Sequence, residues 1–398
     1  MLNITIILFT LAIAVYLSFS KRLRNSTAWK ATITPLASIM GSGFLVSAPL
    51  LGGIVGYYAT FCMLGLLIIA YGLGSVIRYN IQHFEPIANH PSKAKKIAKT
   101  SQIFLALAYF ISITFYLQLL SAFLLSRLGI NSEITANLVT TGLLTTIGLI
   151  GIWKGLSILE SIEKYAVALN LAMIASLIIA LAYYNVSLFS TGDWKLPAVS
   201  TEIDLTDIRI LLGLLIVVQG FETSRYLGDT HSAEERIKTM RWAQIISSII
   251  YIIFLSLITV LFQPGMSGDV TAIIELVRPV ATILPILIVI AAIGSQFTAA
   301  VADNEGAGGL IEEITHNKIP IRYAYLMILL LTVALTWIAD VNQIIAYASR
   351  AFAFYYFLQC IVALAVIKEK KTHLLNAILF SVLAIICLTV TIAGISAE

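Results

Sequence analysis

The second apolar segment of the chain reads, from residue 35 to residue 53, Pro35-Leu-Ala-Ser-Ile-Met-Gly41-Ser42-Gly43-Phe44-Leu-Val-Ser-Ala-Pro49-Leu-Leu-Gly52-Gly53. The Gly41-Ser42-Gly43 triplet falls near the middle of a run long enough to cross a membrane. Glycines there favour local unwinding, which membrane helices tolerate only around a cavity or inside protein. The stretch therefore predicts a broken helix, and close helix packing through small residues is the alternative.

A second interruption occurs in the seventh apolar segment. It reads Leu215-Ile-Val-Val-Gln219-Gly220-Phe221-Glu222-Thr223-Ser224-Arg225. A nearly constant offset separates the two interruptions and also the segments that start at 101 and 280, at 134 and 321, and at 163 and 341. We therefore expect two five-helix repeats. Five is odd, so the second repeat starts from the opposite side of the membrane.

This layout divides the chain into five parts. An N-terminal helix and basic loop occupy 1–30, and the first repeat occupies 31–185. An external loop at 186–206 leads to the second repeat at 207–367, and a C-terminal helix follows at 368–398.

Composition supports a membrane protein. Of 398 residues, 59% are hydrophobic and 12% are charged, which excludes disorder and disfavours a soluble single-core enzyme. The three cysteines lie in apolar stretches and predict no disulfide framework. We expect an all-α polytopic protein with twelve transmembrane helices. Their approximate limits are 3–20, 31–55, 56–77, 101–125, 134–152, 163–185, 207–227, 242–262, 280–303, 321–339, 341–367 and 373–395.

The basic residues orient these helices. Most of the 25 lysines and arginines fall in alternate loops, at 21–30, 78–99, 154–164, 225–241, 318–322 and 368–371. The positive-inside rule makes these loops cytoplasmic, so both termini are external. The first segment lacks a preceding positive charge and is expected to be a retained helix, not a signal peptide. The net charge of +4 suggests no nucleic-acid partner, and the lipid bilayer is the expected environment.

Paired broken helices in inverted repeats form the substrate and ion sites of secondary transporters. At these residues the sequence resembles the amino acid–polyamine–organocation (APC) superfamily, which has the LeuT fold. The resemblance rests on Met40-Gly41-Ser42-Gly43-Phe44-Leu45 followed by Pro49, on Gly220-Phe221-Glu222, and on the loop that follows. The extra N-terminal helix is similar to that of the sodium/solute symporter branch. Only one helix follows the repeats instead of the usual two, so the subfamily stays open.

The resemblance implies a substrate site between the two interruptions. The backbone at Gly41, Ser42 and Gly43, with Met40 and Phe44 beside it, would bind the carboxylate of an amino acid. At the second interruption, carbonyl groups would bind an amino group, with the candidates Val218, Gln219, Gly220, Phe221 and Glu222. A helix–helix hydrogen bond is the alternative for Gln219. Tyr109 and Tyr116 share a helix face and would cover the substrate, with ordinary packing as the alternative.

The resemblance also implies an ion site, which the sequence leaves incomplete. Hydroxyl groups of Ser295 and Thr298 and carbonyl groups of Ala37 and Met40 are the sodium candidates, since hard cations take oxygen ligands. Proton-coupled members use a lysine instead, for which Lys164 is the nearest candidate.

Three further charged residues are candidates for gating or coupling. Glu222 would cap the second half-helix or titrate during transport, with pairing to Arg225 at the cytoplasmic mouth as the alternative. Arg350 lies well inside its segment and needs a partner from another segment, in an external gate, a substrate contact or a structural ion pair. Asp303 would serve in either coupling scheme or be a solvated end charge.

The sequence thus predicts a secondary active transporter of a small amino acid or related amine, coupled to Na⁺ or H⁺ by alternating access. A nucleobase, a sugar-like solute, an inorganic ion, or a channel or sensor on the same fold are the alternatives. Neither a catalytic signature nor a cofactor site is expected. We expect a bacterial inner-membrane location, and the sequence leaves the oligomeric state open.

Overall fold

The computed structural model describes residues 2–88, 90–130, 132–197, 203–228, 230–263, 266, 269–370 and 374–396. The side chains of residues 24, 42, 157–164 and 374 lie outside this description. The predicted roles of the Ser42 and Lys164 side chains therefore fall outside the described part of the chain.

The described residues form helices throughout. The α-helices are α1 (Leu2–Phe19), α2 (Lys21–Arg24), α3 (Thr27–Val55), α4 (Ala59–His83), α5 (Lys93–Arg127), α6 (Glu133–Lys154), α7 (Ser157–Thr191), α8 (Leu205–Leu212), α9 (Ala233–Ile258), α10 (Ile273–Leu276), α11 (Leu284–Ile314), α12 (Ile321–Ile338), α13 (Val341–Lys370) and α14 (Leu374–Ala393). Two 3₁₀ turns, Leu215–Val218 and Phe221–Leu227, continue α8 in a broken segment that spans residues 205–227.

The number and composition of the helices confirm an all-α polytopic membrane protein. Ten stretches of the described chain are long and apolar enough to cross a membrane. One of them, Thr27–Ile87, contains both α3 and α4. The broken segment 205–227 is interrupted and is not among the ten. Counted together, these elements correspond to the twelve apolar segments seen in the sequence.

Local capping explains where several helices begin. Ser26, Ser92, Ser132 and Ser232 each accept a hydrogen bond from a backbone N–H three residues on, at the first turns of α3, α5, α6 and α9. Asp204 does the same at α8 and forms a reciprocal capping box. These side chains satisfy N–H groups that a helix start leaves unpaired.

Contacts between the long helices are equivalent in the two proposed repeats. α5 packs on α11, and α6 packs on α12. The contact of α5 with α13 corresponds to that of α11 with α7. In the same way, the contact of α3 with α9 corresponds to that of the broken segment with α4. Helix α5 lies at the centre, in contact with α6, α11, α12 and α13. The exact repeat boundaries stay a prediction.

The predicted break at Gly41–Gly43 is wrong. Helix α3 runs without interruption from Thr27 to Val55, through both of its prolines. The glycines instead allow close packing, because a Cβ atom on Gly43 would lie 2.8 Å from the Cα atom of Val217 in the broken segment. The small-residue alternative therefore describes α3, and of the two segments predicted to break, only 205–227 does so.

Candidate functional site

A cavity of ≈ 380 Å³ lies between α3, α5, α7, α11 and the end of the broken segment. It is nearer the end of the bundle where α3 begins and α11 ends, which we call the basic side because the lysine- and arginine-rich loops lie there. Its lining consists of Thr34, Ala37, Ser38, Tyr109, Val167, Thr223, Tyr226, Leu227, Thr298, Ala299, Ala302, Asp303, Glu305 and Gly306.

Asp303 is the buried carboxylate of this cavity. It is only 7% exposed, and the Ser112 hydroxyl on α5 donates a hydrogen bond to its Oδ2 atom. The reading of Asp303 as a solvated end charge is therefore wrong. A carboxylate in such a place is costly unless a proton, a cation or hydrogen-bond donors compensate its charge. Among the described residues, no lysine, arginine or histidine forms an ion pair with it.

Tyr109 forms part of the cavity wall through its contact with a glycine on the facing helix. A Cβ atom on Gly306 of α11 would lie 3.2 Å from the Tyr109 Cε2 atom, so the ring lies directly over this glycine. Tyr109 is thus the one predicted substrate-binding residue that lines the cavity. Ala37, Thr298 and Asp303, predicted for ion binding or coupling, line it as well.

The broken segment turns at Gly220, whose φ of 116° is a conformation that other residues rarely adopt. Glu222 supplies a hydrogen-bond acceptor for a backbone N–H at this break. Its Oε2 atom accepts hydrogen bonds from the Gly220 N–H at 3.0 Å and from the Tyr356 hydroxyl at 2.7 Å. The bond reaches the N–H of Gly220 and not those of the turn Phe221–Leu227, which has no side-chain cap, so the capping role stays a prediction.

Arg225 turns away from Glu222. It lies 3.9 Å from Glu85 and donates to the Gln359 Oε1 atom at 2.9 Å. The alternative that paired Glu222 with Arg225 is therefore wrong.

Protein groups also satisfy other backbone atoms at the break. The Tyr251 hydroxyl lies 2.6 Å from the Val217 carbonyl oxygen, and the Ile216 N–H donates to Ser349 at 2.9 Å. Gln219 donates from Nε2 to the Tyr116 hydroxyl at 3.2 Å, which is the helix–helix bond that the sequence left open for it. This part of the predicted substrate site is packed protein, next to the cavity but not in its wall.

Most of the residues proposed for substrate binding from the resemblance thus lie outside the cavity lining. Phe44 is buried against Tyr251 and Phe254. The amides of Gly41 and Gly43 lie inside a continuous helix and not at a half-helix start. The others outside the lining are Met40, Tyr116, Val218, Gln219, Gly220, Phe221 and Glu222.

The predicted ion ligands lie on two helices in contact, α3 and α11. There Gln296 donates from Nε2 to the Gly41 carbonyl oxygen at 3.0 Å, and it is 3% exposed. The Thr298 hydroxyl lies 3.0 Å from the carbonyl oxygens of Gly294 and Ser295 on its own helix. The sequence analysis did not single out Gln296, although it stands between the two chosen hydroxyls.

Arg350 belongs to another part of the molecule. Its Nε atom donates to the Thr391 carbonyl oxygen at 2.8 Å, in the last turn of α14. The partner is thus a helix C-terminus, which favours a positive charge. Arg350 lies outside the cavity lining.

Sequence reasoning missed several lining residues. On α3 these are Thr34 and Ser38, which lie on the same face and within seven residues of Gly41. On α11 they are Ala299, Ala302 and Gly306, a row of small residues at helical spacing. Polar or small residues recurring on one face of an apolar helix were the available signal.

The architecture is that of a polytopic helical membrane protein with a partly polar cavity between its helices. A family profile described as an APC superfamily transporter matches residues 21–394. The chain therefore belongs to the APC superfamily of transporters. This membership makes it an integral membrane protein of a transporter family and not of an enzyme family.

Known proteins extend this result. A protein of Aquifex aeolicus (strain VF5), described only as uncharacterized, is 46% identical over 401 residues, which cover 98% of this chain and 97% of that protein. Crystal structures of variants of the Eremococcus coleocola manganese transporter are similar in fold, with a TM-score of 0.60 and 14% identity. They cover 92% of this chain and 87% of the transporter. At this identity the likeness concerns the fold alone.

Proposed function

We propose that this chain is a secondary active transporter that moves a small organic amine, amino acids included, by ion-coupled alternating access. The observation that carries the proposal is the charge of the cavity. Asp303, which forms no ion pair among the described residues, lines it together with hydroxyl groups, and its described lining contains no lysine, arginine or histidine. A site with this charge attracts a cationic group.

The cavity also suggests how the rest of the solute is held. Thr34, Ser38, Thr223 and Thr298 line it with hydroxyl groups. Those of Thr223 and Thr298 donate to backbone carbonyls and keep lone pairs that can accept from a solute. Its volume lies within the range of small-molecule sites, which begins at roughly 300 Å³. The cavity therefore supports binding of the amino group of a solute. The predicted carboxylate contact at Gly41–Gly43 lacks this support, because the N–H groups there lie inside a continuous helix and not at the start of one.

A divalent metal is the second candidate, because the similar fold includes a manganese transporter. Manganese takes carboxylate, carbonyl and water oxygens, and other divalent transition metals add imidazole or thiolate ligands. In the described part of this chain, no three His, Cys, Asp or Glu residues come together in that way. The site chemistry therefore supports an amine over a metal.

The proposal includes an orientation of the protein in the membrane. The basic loops favour a cytoplasmic basic side, with external termini and a bacterial inner-membrane location. The cavity would then be nearer the cytoplasm, as in a transporter that faces inward.

A thermal-shift panel on the purified protein tests the proposed substrate class. The panel contains putrescine, choline, L-lysine, L-alanine, uracil, glucose and MnCl₂. A ligand that binds the native state raises its apparent stability. We expect the amines to stabilise the protein and to support counterflow in proteoliposomes, which a channel does not. Stabilisation by uracil, glucose or Mn²⁺ alone would contradict the proposal.

A further inference from the structure

We infer that the coupling ion is a proton carried by Asp303, that the cationic solute competes for the same carboxylate, and that transport is therefore proton–amine exchange without sodium. The inference rests on the proposed function, which leaves the ion open. Two separate observations carry it: the polar contact between α3 and α11, and the position of Asp303.

At the contact between α3 and α11, a protein N–H donor already occupies the Gly41 carbonyl oxygen. A sodium ion needs several oxygen atoms that converge on it without an N–H donor among them. Here the Gln296 amide donates to the Gly41 carbonyl, which is the oxygen adjacent to the predicted ligand set. An amide N–H carries a partial positive charge, so Gln296 supplies locally what a cation would supply.

Space at this contact is also small. A Cβ atom on Gly41 would lie 3.3 Å from the Ser295 hydroxyl oxygen, so the two helices already touch. The carbonyls of Ala37 and Met40 belong to the continuous helix α3, where carbonyls accept hydrogen bonds from N–H groups four residues on. The predicted sodium ligands therefore do not converge on an ion.

Asp303, in contrast, has a free position for a proton. Ser112 donates to its Oδ2 atom and Asp303 lines the cavity, so Oδ1 is the oxygen left to take a proton. When a proton binds there, the buried carboxyl group is neutral; when the proton leaves, a cationic amine can compensate the charge. Two occupants that exclude each other on one carboxylate give exchange and not symport.

Among the described residues, the other titratable groups around Asp303 do not supply a permanent counter-charge. Tyr109 lines the cavity with it from α5, Tyr226 from the broken segment, and Glu305 from its own helix. Tyr116 on α5 and Glu222 in the broken segment lie outside the lining and interact with Asp303 only through their charge. Helices α3 and α7 contribute Thr34, Ala37, Ser38 and Val167 to the described lining. All the titratable groups named here are acidic or neutral, so the charge on Asp303 depends on what the cavity holds.

Proton release on ligand binding tests the inference directly. Purified wild-type protein in weak buffer, near the pH at which half of the sites are protonated, is titrated with the panel amine that stabilises it most. Displacement of the proton should acidify the solution by an amount that varies with pH and approaches about one proton per bound amine at the acid end. Glu312→Gln, on the same helix but outside the cavity lining, is the matched control and should keep this release, whereas Asp303→Asn should lose it.

Proteoliposomes give the second test, on wild-type protein alone. Inside-acid vesicles should accumulate the amine, outside-acid vesicles should not, and replacing Na⁺ by K⁺ should change the initial rate less than twofold. Accumulation in outside-acid vesicles, accumulation driven by a sodium gradient, or amine binding without proton release would overturn the inference while leaving the proposed function intact. Failure of every amine to bind or exchange would instead overturn the proposed function.

Discussion

Gln296 on α11 donates a hydrogen bond from its Nε2 atom to the backbone carbonyl oxygen of Gly41 on α3, over 3.0 Å. The two residues are 255 positions apart and belong to different proposed repeats. The bond lies at the contact where the resemblance to sodium-coupled members implies an ion. It therefore links α3 to α11 through protein groups.

Replacing Gln296 by leucine should lower stability. The change removes a buried hydrogen bond to the Gly41 carbonyl, which keeps its partner within the helix, so the cost is about 0.5–1.5 kcal/mol. A lower melting temperature by intrinsic fluorescence checks this. Gln102→Leu is the matched control, since Gln102 bonds to Glu313 in an exposed position, and its shift should be small. Equal shifts for the two variants would contradict a special role for Gln296.

Gly43→Ala should destabilise the contact between α3 and the broken segment. The added methyl group would lie 2.8 Å from Val217, and overpacking of this kind costs about 1–3 kcal/mol. Gly142→Ala is the control, because nothing lies within 4 Å of its Cβ position.

Val217→Ala in the Gly43→Ala background gives a second measurement of the same contact. Removing the opposing methyl groups should restore part of the melting temperature, as a double-mutant cycle would show. Additive losses would mean that the two residues do not act on each other.

Tyr356→Phe should affect the break at Gly220. The change removes the 2.7 Å hydrogen bond to Glu222 and leaves that buried carboxylate with the Gly220 N–H. Hydrogen bonds to charged groups contribute roughly 1.5–3 kcal/mol, so the melting temperature should fall. Tyr347→Phe, at a position 42% exposed, should leave it nearly unchanged. Equal stability of Tyr356→Phe and wild type would show that Glu222 needs no help from Tyr356.

Arg350→Leu separates a structural role from a gate. Arg350 donates to the C-terminal turn of α14 and lies outside the cavity lining, so we expect lower stability with unchanged amine affinity. Binding and melting measured on the same preparation check this. A loss of amine affinity at an unchanged melting temperature would instead support a role of Arg350 in gating.

Hydropathy was sufficient to predict the helices and the second break, because Gln219, Gly220 and Glu222 interrupt an apolar run. Hydropathy could not decide whether the helix breaks at Gly41–Gly43. Glycines allow either unwinding or close packing, and the choice at Gly43 depends on Val217, which is distant in sequence. Asp303 was ambiguous for the same reason. Its burial depends on Ser112, which lies 191 positions away on another helix.

Gly306→Val should change which amines the cavity accepts. Gly306 lines the cavity opposite Tyr109, and the first added carbon would already lie 3.2 Å from that ring. A branched side chain should therefore push the ring or fill part of the ≈ 380 Å³. Because a bulky solute needs more of that space, we expect the affinity for L-lysine to fall at least tenfold and that for putrescine to fall less.

Gly309→Val is the matched control on the same helix. Nothing lies within 4 Å of its Cβ position, and it is outside the cavity lining. It should leave the relative affinities for the two amines as in wild type, by competition against a labelled amine. If both valine variants reduce the two affinities equally, the effect comes from α11 as a whole and the cavity does not select its solute. Selective loss in Gly306→Val alone assigns size discrimination to the space between Tyr109 and Gly306.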